Sequence, residues 1–151
     1  MSFYFAYGSN MNPARMRSRG LAFSEALAGR LEGYALCFNK RAHDRPGRSY
    51  ANIRYQRGGV VEGVLYRLEH EDEIWKMDPF EGTPIFYSRE RMPVVTAGGV
   101  QPAWVYVANP SMREDGLWPT RSYLEHLLAG REFLTPAYWE DLAAVPAHPD
   151  E

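Results

Sequence analysis

The first apolar stretch of the chain is short and rich in aromatic residues. Residues 3–7 are Phe-Tyr-Phe-Ala-Tyr, and a run of this length and composition predicts a buried β-strand. The polar residues 8–10 interrupt it, Asn12 has the chemistry of a helix N-cap, and Pro13 suits the first helical position. The pattern therefore predicts a strand, a tight polar turn and a short helix that runs to residue 19 and is closed by Gly20.

Apolar runs bounded by turn residues predict five further strands in the middle of the chain. They cover residues 31–39, 50–55, 60–68, 86–96 and 100–108. Arg57-Gly58-Gly59 favours a hairpin between the second and third of these strands. Gly98-Gly99 similarly predicts that the last two strands pair with each other.

Helical patterns lie in front of and behind the last strand pair. The acidic residues 69–73 precede a short helical segment, residues 74–77, which we expect Pro79 to end. Two more helices follow, over about residues 120–129 and from the cap Thr135 to about residue 145. Strands in the middle and helices at the end predict an α+β fold rather than a doubly wound sheet.

Charge and composition exclude several classes of protein. The chain has 17 Lys and Arg against 19 Asp and Glu, which argues against a nucleic-acid-binding protein. No apolar run approaches the roughly 20 residues of a membrane span, and residues 1–10 lack the features of a signal peptide. The single cysteine, Cys37, suits a reducing compartment. We expect one cytoplasmic domain over residues 1–151, with residues 147–151 frayed, as a monomer or small homo-oligomer.

The turn after the first strand is a candidate anion site. A strand that turns through Gly8 into a helix points backbone N–H groups at one spot, and the helix start adds partial positive charge. Ser9 and Asn10 could add side-chain hydrogen bonds to a carboxylate or phosphate. The alternative is a purely structural turn. Neither a Walker-type phosphate loop nor a hydrolase nucleophile elbow around Ser9 is present.

Asp78 and Glu81 are predicted to lie together in the loop that follows the middle helix. Pro79 and Phe80 offer an apolar wall, which would raise the pKa of a carboxyl and make it a proton shuttle near neutral pH. The alternative is two solvated loop residues. For the arginines of the first helix, Arg15, Arg17 and Arg19, the sequence favours a surface role. The four histidines are scattered without metal-ligand spacing, so we expect no metal site.

These features together resemble the gamma-glutamylcyclotransferase family. Residues 5–11, Phe-Ala-Tyr-Gly-Ser-Asn-Met, resemble its Tyr-Gly-Ser-Asn signature, with Met11 where Leu is common. Residues 63–66, Gly-Val-Leu-Tyr, resemble its central strand, and Asp78-x-x-Glu81-Gly82 resembles its catalytic loop. The similarity runs from about residue 3 to residue 142. Tyrosines match the family at these positions: Tyr106 and Tyr123, with Tyr87 at a slightly different spacing.

The resemblance implies a mixed-strand β-barrel flanked by helices, with a pocket at one end. It implies an enzyme that needs no cofactor or metal and cleaves a small gamma-glutamyl amide by attack of the α-amino group on the γ-carbonyl, releasing 5-oxoproline. Glu81 would be the acid and base of this reaction. The substrate would be bound by Tyr7, Gly8, Ser9, Asn10, Met11, Tyr87, Tyr106 and Tyr123.

Two further interpretations stay open on the sequence alone. The chain could be a catalytically inactive relative that binds gamma-glutamyl groups or anions, or an unrelated anion-binding module in which Glu81 is dispensable. The leaving group is also open, because all gamma-glutamyl amides would share Glu81 and the turn. Residues 43–48 and 110–119 depart from the family pattern, and both could line the leaving-group side of the pocket.

Overall fold

The computed structural model describes residues 1–150, which form a closed five-stranded β-barrel with helices packed against it. The strands are β1 (Ser2–Ala6), β2 (Phe23–Arg41), β3 (Ser49–Leu68), β4 (Tyr87–Thr96) and β5 (Gly99–Ala108). The α-helices are α1 (Pro13–Ser18), α2 (Glu73–Glu81), α3 (Arg121–Leu128) and α4 (Pro136–Ala143). Short 3-10 turns cover Ser9–Met11, Pro110–Met112 and Arg131–Phe133.

The strand order around the barrel is β1-β3-β2-β4-β5. Every pair is antiparallel except β5 with β1, which closes the barrel in parallel through Tyr4 and Trp104. Closure leaves no free sheet edge. The expectation of an α+β, mixed-strand barrel flanked by helices is confirmed.

Alternation along β1 separates two apolar cores. Phe3 and Phe5 pack with Val105 and other strand residues inside the barrel, whereas Tyr4 and Ala6 face the core between barrel and helices. Successive side chains of a strand point to opposite faces. An aromatic run with no polar interruption is therefore what a strand buried on both faces needs.

Local signals placed most helix ends correctly. The Asn12 side chain accepts a hydrogen bond from the Ala14 N–H at 3.1 Å and caps α1. Thr120 and Thr135 cap α3 and α4 in the same way, through the N–H groups of Tyr123 and Tyr138.

The predicted hairpin at residues 57–59 is wrong. Residues 49–68 form one long strand, and both of its halves pair with β2. The register shifts between the Glu32–Val60 and Tyr34–Tyr55 pairs, so the glycines form an irregularity within the strand rather than a turn. Gly58 has φ of 77° and Gly33 on the facing strand has φ of 85°, a backbone conformation that favours glycine.

The expected end of the middle helix at Pro79 is also wrong. Helix α2 continues through Pro79 to Glu81 and is closed by Gly82, which has φ of 64°. Pro79 forfeits the backbone hydrogen bond to Trp75, but both residues lie on the exposed side of the helix, where water can replace it. Glu81 therefore lies in the last helical turn, not in a loop.

The expected fraying of residues 147–151 does not hold for residues 147–150. The His148 N–H donates to the Pro119 carbonyl at 2.9 Å, and the Arg121 N–H donates to the His148 carbonyl at 2.9 Å. The Asp150 carboxylate accepts from the Ser122 N–H at 3.0 Å. These contacts fasten the segment to the start of α3, and Glu151 lies outside the described residues.

Candidate functional site

A cavity of about 290 Å³ opens at the end of the barrel where β1, β2 and β5 finish and β3 and β4 begin. It brings together nearly all the predicted site residues, which are far apart in sequence. The predicted residues that line it are Tyr7, Gly8, Ser9, Asn10, Glu81, Tyr87, Tyr106 and Tyr123. Further lining residues are Tyr4, Arg15, Arg19, Lys40, His43, Asp44, Tyr50, Ala51, Phe80 and Phe86.

Met11 is the predicted site residue that does not reach this cavity. Its side chain is fully buried in the core between barrel and helices. It closes the 3-10 turn through a hydrogen bond from its N–H to the Gly8 carbonyl at 3.0 Å. Met11 therefore supports the turn from the core side, and its side chain is not part of the cavity lining.

The turn between β1 and α1 presents backbone donors beside the cavity. Gly8 precedes the single 3-10 turn Ser9–Met11, and the N–H groups of Ser9 and Asn10 donate to no acceptor within residues 1–150. A Cβ on Gly8 would lie 3.0 Å from the Tyr123 hydroxyl and 3.4 Å from the Ala51 Cβ. Its φ of −113° is open to other residues, so glycine is required here by the close approach of Tyr123.

The Asn10 side chain is committed to the protein rather than to a ligand. Its amide nitrogen donates to the Tyr4 hydroxyl at 3.0 Å and lies 3.3 Å from the Met77 sulfur. Its side-chain oxygen accepts from Arg19 at 3.2 Å, and its backbone carbonyl accepts from the Tyr66 hydroxyl at 2.6 Å. Asn10 thus fixes the turn and orients Arg19.

Glu81 is a half-buried carboxyl of the cavity that has no partner. Among residues 1–150 it forms no hydrogen bond or ion pair, although Arg15, Arg19 and Lys40 line the same cavity. Burial raises its pKa to about 7, against the opposing effects of Arg19, Arg15 and Lys40. A carboxyl with this pKa can both accept and donate a proton near neutral pH.

Asp78, one helical turn before Glu81, is fully paired. Its two oxygens accept from the Arg89 guanidinium at 3.1 and 3.2 Å, and Oδ1 also accepts from the Tyr106 hydroxyl at 2.6 Å. The bonds join α2 to β4 and β5. The two carboxyls that the sequence places three residues apart therefore differ in chemistry: one anchors the helix, and the other faces the cavity unpaired.

Three tyrosine hydroxyls of the cavity already donate their proton to the protein. Tyr7 donates to the Tyr106 carbonyl at 2.6 Å, Tyr87 to the Ala51 carbonyl at 2.8 Å, and Tyr106 to Asp78. The Tyr123 hydroxyl instead accepts from the Ala51 N–H at 3.0 Å. Its own proton is left for a ligand. Burial raises the pKa of all four groups, which keeps them neutral.

The family model that describes gamma-glutamyl cyclotransferases of the AIG2-like type matches residues 4–125. The chain belongs to this family. The match covers most of the chain and contains the turn, Glu81, Tyr106 and Tyr123.

The chain is also similar to a protein and to solved structures whose names refer to this activity or to YkqA. It is 29% identical, over 93% of its length, to a putative gamma-glutamylcyclotransferase of Bacillus subtilis, YkqA, and spans 50% of that relative. The solved structure of YkqA superposes with a TM-score of 0.80, at 24% identity, over 97% of this chain and 55% of that one. A solved gamma-glutamyl cyclotransferase gives a TM-score of 0.82, at 24% identity, over 97% and 89% of the two chains.

Arg15 and Arg19 are site residues that sequence reasoning assigned to the surface. Both line the cavity, whereas Arg17 is exposed and lies 4.9 Å from the centre of the Phe23 ring. The Arg15 Nε is buried without a hydrogen-bond partner among residues 1–150. Four-residue spacing puts Arg15 and Arg19 on one face of α1, and this spacing beside the turn was the available signal.

Of the two segments that depart from the family pattern, residues 43–48 reach the cavity. His43 and Asp44 line it, together with Lys40 at the end of β2. No residue of 110–119 is part of the lining. Of these two segments, only the β2–β3 connection therefore contributes to the lining.

No cluster of His, Cys, Asp and Glu side chains in residues 1–150 could hold a metal ion. None of the helices in this part of the chain is long and apolar enough to cross a membrane.

Proposed function

We propose that this protein is a gamma-glutamylcyclotransferase that converts a small gamma-glutamyl amide into 5-oxoproline and a free amine or amino acid. One observation carries the proposal. The cavity holds a carboxyl, Glu81, that has no partner in residues 1–150 and a pKa of about 7. It faces the same space as a turn with free N–H groups and two arginines.

The glutamyl end of the substrate is bound by the turn and α1. The N–H groups of Ser9 and Asn10 and the guanidinium group of Arg15 are donors for the α-carboxylate. Arg19, fixed by Asn10, supplies a second positive charge. Charge-assisted hydrogen bonds of this kind are roughly twice as strong as neutral ones. They would hold the α-amino group beside Glu81.

Glu81 carries the protons of the reaction. As a carboxylate it takes one proton from the α-ammonium group, and the freed amine attacks the γ-carbonyl carbon and closes a five-membered ring. The protonated Glu81 then delivers the proton to the leaving nitrogen, and the C–N bond breaks. A second proton follows from the α-nitrogen to the departing amine, so the products are 5-oxoproline and an ammonium compound. The nucleophile and the carbonyl belong to the same substrate molecule. The protein therefore has to hold the glutamyl chain in a curled conformation that orients the amine toward the γ-carbonyl carbon.

The donor side of the cavity complements this chemistry. The free proton of the Tyr123 hydroxyl is available to an oxygen of the bound glutamyl group. The Phe80 ring lines the same cavity as Glu81 and adds apolar surface to it. Arg19 packs over this ring at 4.8 Å. A cytoplasmic location belongs to the proposal and rests on the single cysteine.

The test is an assay of 5-oxoproline with a panel of gamma-glutamyl amino acids and gamma-glutamyl amines. Wild-type protein is compared with Glu81→Gln and with Glu90→Gln, which removes an exposed carboxylate of β4 outside the cavity. We expect turnover by wild type and Glu90→Gln and a loss of at least about 100-fold in kcat for Glu81→Gln. Tight binding of the panel without turnover by the wild type would favour the inactive relative instead.

A further inference from the structure

Lys40 lies at the end of β2 and lines the cavity, together with Glu81 and the residues of the turn. It pairs with Tyr50 of β3 and precedes the connection to that strand. Only 3% of its surface is exposed, although it lines the cavity. A lysine this buried is rare in proteins unless its charge has a partner.

The contacts of the Lys40 ammonium group leave its charge unpaired. Nζ donates to the Arg41 carbonyl at 2.9 Å and lies over the Phe86 ring at 4.4 Å and the Tyr50 ring at 5.5 Å. An ammonium group has three donors, and no further acceptor is present among residues 1–150. No carboxylate of these residues lies within the 4.0 Å of an ion pair.

The two carboxylates of the cavity do not serve this lysine. Asp44 is on the exposed β2–β3 connection and forms no ion pair with it. Burial lowers the pKa of Lys40, and the Arg41 charge acts in the same direction. Glu81 raises this pKa, but its effect is smaller than either of the other two. Conversely, among the three cations, Lys40 lowers the pKa of Glu81 least, after Arg19 and Arg15. The buried ammonium group of Lys40, which lies beside two aromatic rings, is therefore available to bind an anionic group of the ligand.

We infer that Lys40 binds a carboxylate on the leaving group, so that the substrate is a gamma-glutamyl amino acid or peptide rather than a gamma-glutamyl amine. The inference rests on the proposed function. A gamma-glutamyl amino acid carries two carboxylates, one on each side of the scissile amide. We assign the first to Arg15 and Arg19, which lie beside the turn, and the second to Lys40, which lies at the end of β2 with the rings of Phe86 and Tyr50.

The experiment uses three substrates that differ only at the leaving group: gamma-glutamyl-alanine, gamma-glutamyl-alaninamide and gamma-glutamyl-ethylamine. The values of kcat/KM are measured by release of 5-oxoproline. Wild type is expected to prefer the alanine substrate over both others by about 10- to 100-fold, the range of a charge-assisted hydrogen bond. A gamma-glutamyl diamine, with a positive charge in the same place, is expected to be the poorest substrate.

Lys40→Met keeps most of the unbranched side chain and removes its charge. It is expected to lower kcat/KM for gamma-glutamyl-alanine by about 10- to 100-fold and to leave the amide and ethylamine substrates within about 3-fold. Arg41→Met removes a neighbouring charge that does not line the cavity and is the matched control; all three substrates should keep their relative rates.

Each other outcome counts against the inference in a different way. An equal loss on all three substrates would show that Lys40 acts at the glutamyl end or on the fold. If Lys40→Met does not fold, the wild-type ratio of acid to amide decides, and a ratio near one overturns the inference. Release of 5-oxoproline from none of the substrates by wild type overturns the proposed function itself.

Discussion

The Tyr106 hydroxyl donates a 2.6 Å hydrogen bond to the Asp78 carboxylate and so ties β5 to the helix that carries Glu81. Arg89 of β4 clamps the same carboxylate through two nitrogens. Arg89 in turn lies 4.4 Å from the centre of the Trp104 ring. The last turn of α2, with Glu81 at its end, is therefore held against two strands of the barrel.

Asp78→Asn is expected to destabilise the protein and to slow catalysis. The neutral amide loses the charge that pairs with Arg89 and leaves that half-buried guanidinium without its partner. We expect the free energy of unfolding to fall by about 1–3 kcal/mol. We also expect kcat to fall, because the end of α2 is no longer fixed. Urea unfolding and 5-oxoproline release measure the two effects. Asp72→Asn, at the exposed start of α2 without a side-chain cap bond, is the control and should change neither.

Glu81→Gln is expected to stabilise the folded protein at alkaline pH. The folded-state pKa of about 7 lies above the ordinary value of 4.5. The contribution of Glu81 to the stability of the wild type is therefore fully present below about pH 4.5 and is lost as the pH rises through 7. Glutamine has no proton to lose and replaces no hydrogen bond, so thermal unfolding at pH 8 should show a gain of about 1–3 kcal/mol. At pH 5 the two proteins should differ little, and an equal gain at both pH values would contradict the raised pKa.

The pH dependence of kcat/KM should show an inflection at the pKa of Glu81, about 7. Glu81 must be a carboxylate to accept the first proton, so activity should rise about tenfold per pH unit below pH 7 and level off above it. Arg19 has the largest pKa-lowering effect on Glu81. Arg19→Met should therefore move the inflection to higher pH. An inflection near pH 4.5, or none in the acid range, would assign the base to another group.

Gly8→Ala is expected to weaken substrate binding without unfolding the protein. The added methyl group would lie 3.0 Å from the Tyr123 hydroxyl and push it from its place beside the turn. We expect KM to rise by about 10-fold and kcat to fall less, since Glu81 is untouched. Gly98→Ala is the matched control, because its Cβ would find its nearest neighbour at 3.8 Å and its φ is not positive. Equal kinetics for the two variants would remove the turn from the binding site.

Sequence reasoning succeeded where a local signal decides the local structure. Asn12 before Pro13, and Thr135 before Pro136, are helix starts in any tertiary context. It failed at Gly58-Gly59 and at Pro79, where two local outcomes are possible. Glycines fit a strand irregularity as well as a hairpin, and a proline near a helix end can be tolerated when its missing partner faces water. Because both halves of β3 pair with β2, the glycines lie within one strand. Because Gly82 closes α2, the helix continues past Pro79.

In the candidate site too, the residues within a local sequence motif could be predicted, whereas those that depend on tertiary packing could not. Glu81 and the turn could be found from motifs, because each motif is a contiguous segment. Lys40 could not be found from the sequence. Its proposed role in anion binding depends on β2 extending to residue 41 and on the Phe86 and Tyr50 rings, which lie near its ammonium group. Met11 was assigned to the site because it adjoins the turn in sequence, yet its side chain points into the core. Which neighbours of a motif face the cavity is decided by packing.

The most direct test of the account follows the oxygen atoms during turnover in heavy-oxygen water. Internal attack by the α-amino group uses no water, so the gamma-glutamyl substrate should give 5-oxoproline that contains no solvent oxygen, together with the free amine or amino acid. Mass spectrometry of the product distinguishes this from hydrolysis. Glutamate that carries one solvent oxygen on its γ-carboxylate would contradict the cyclotransferase account, because water and not the substrate's own amine would then be the nucleophile.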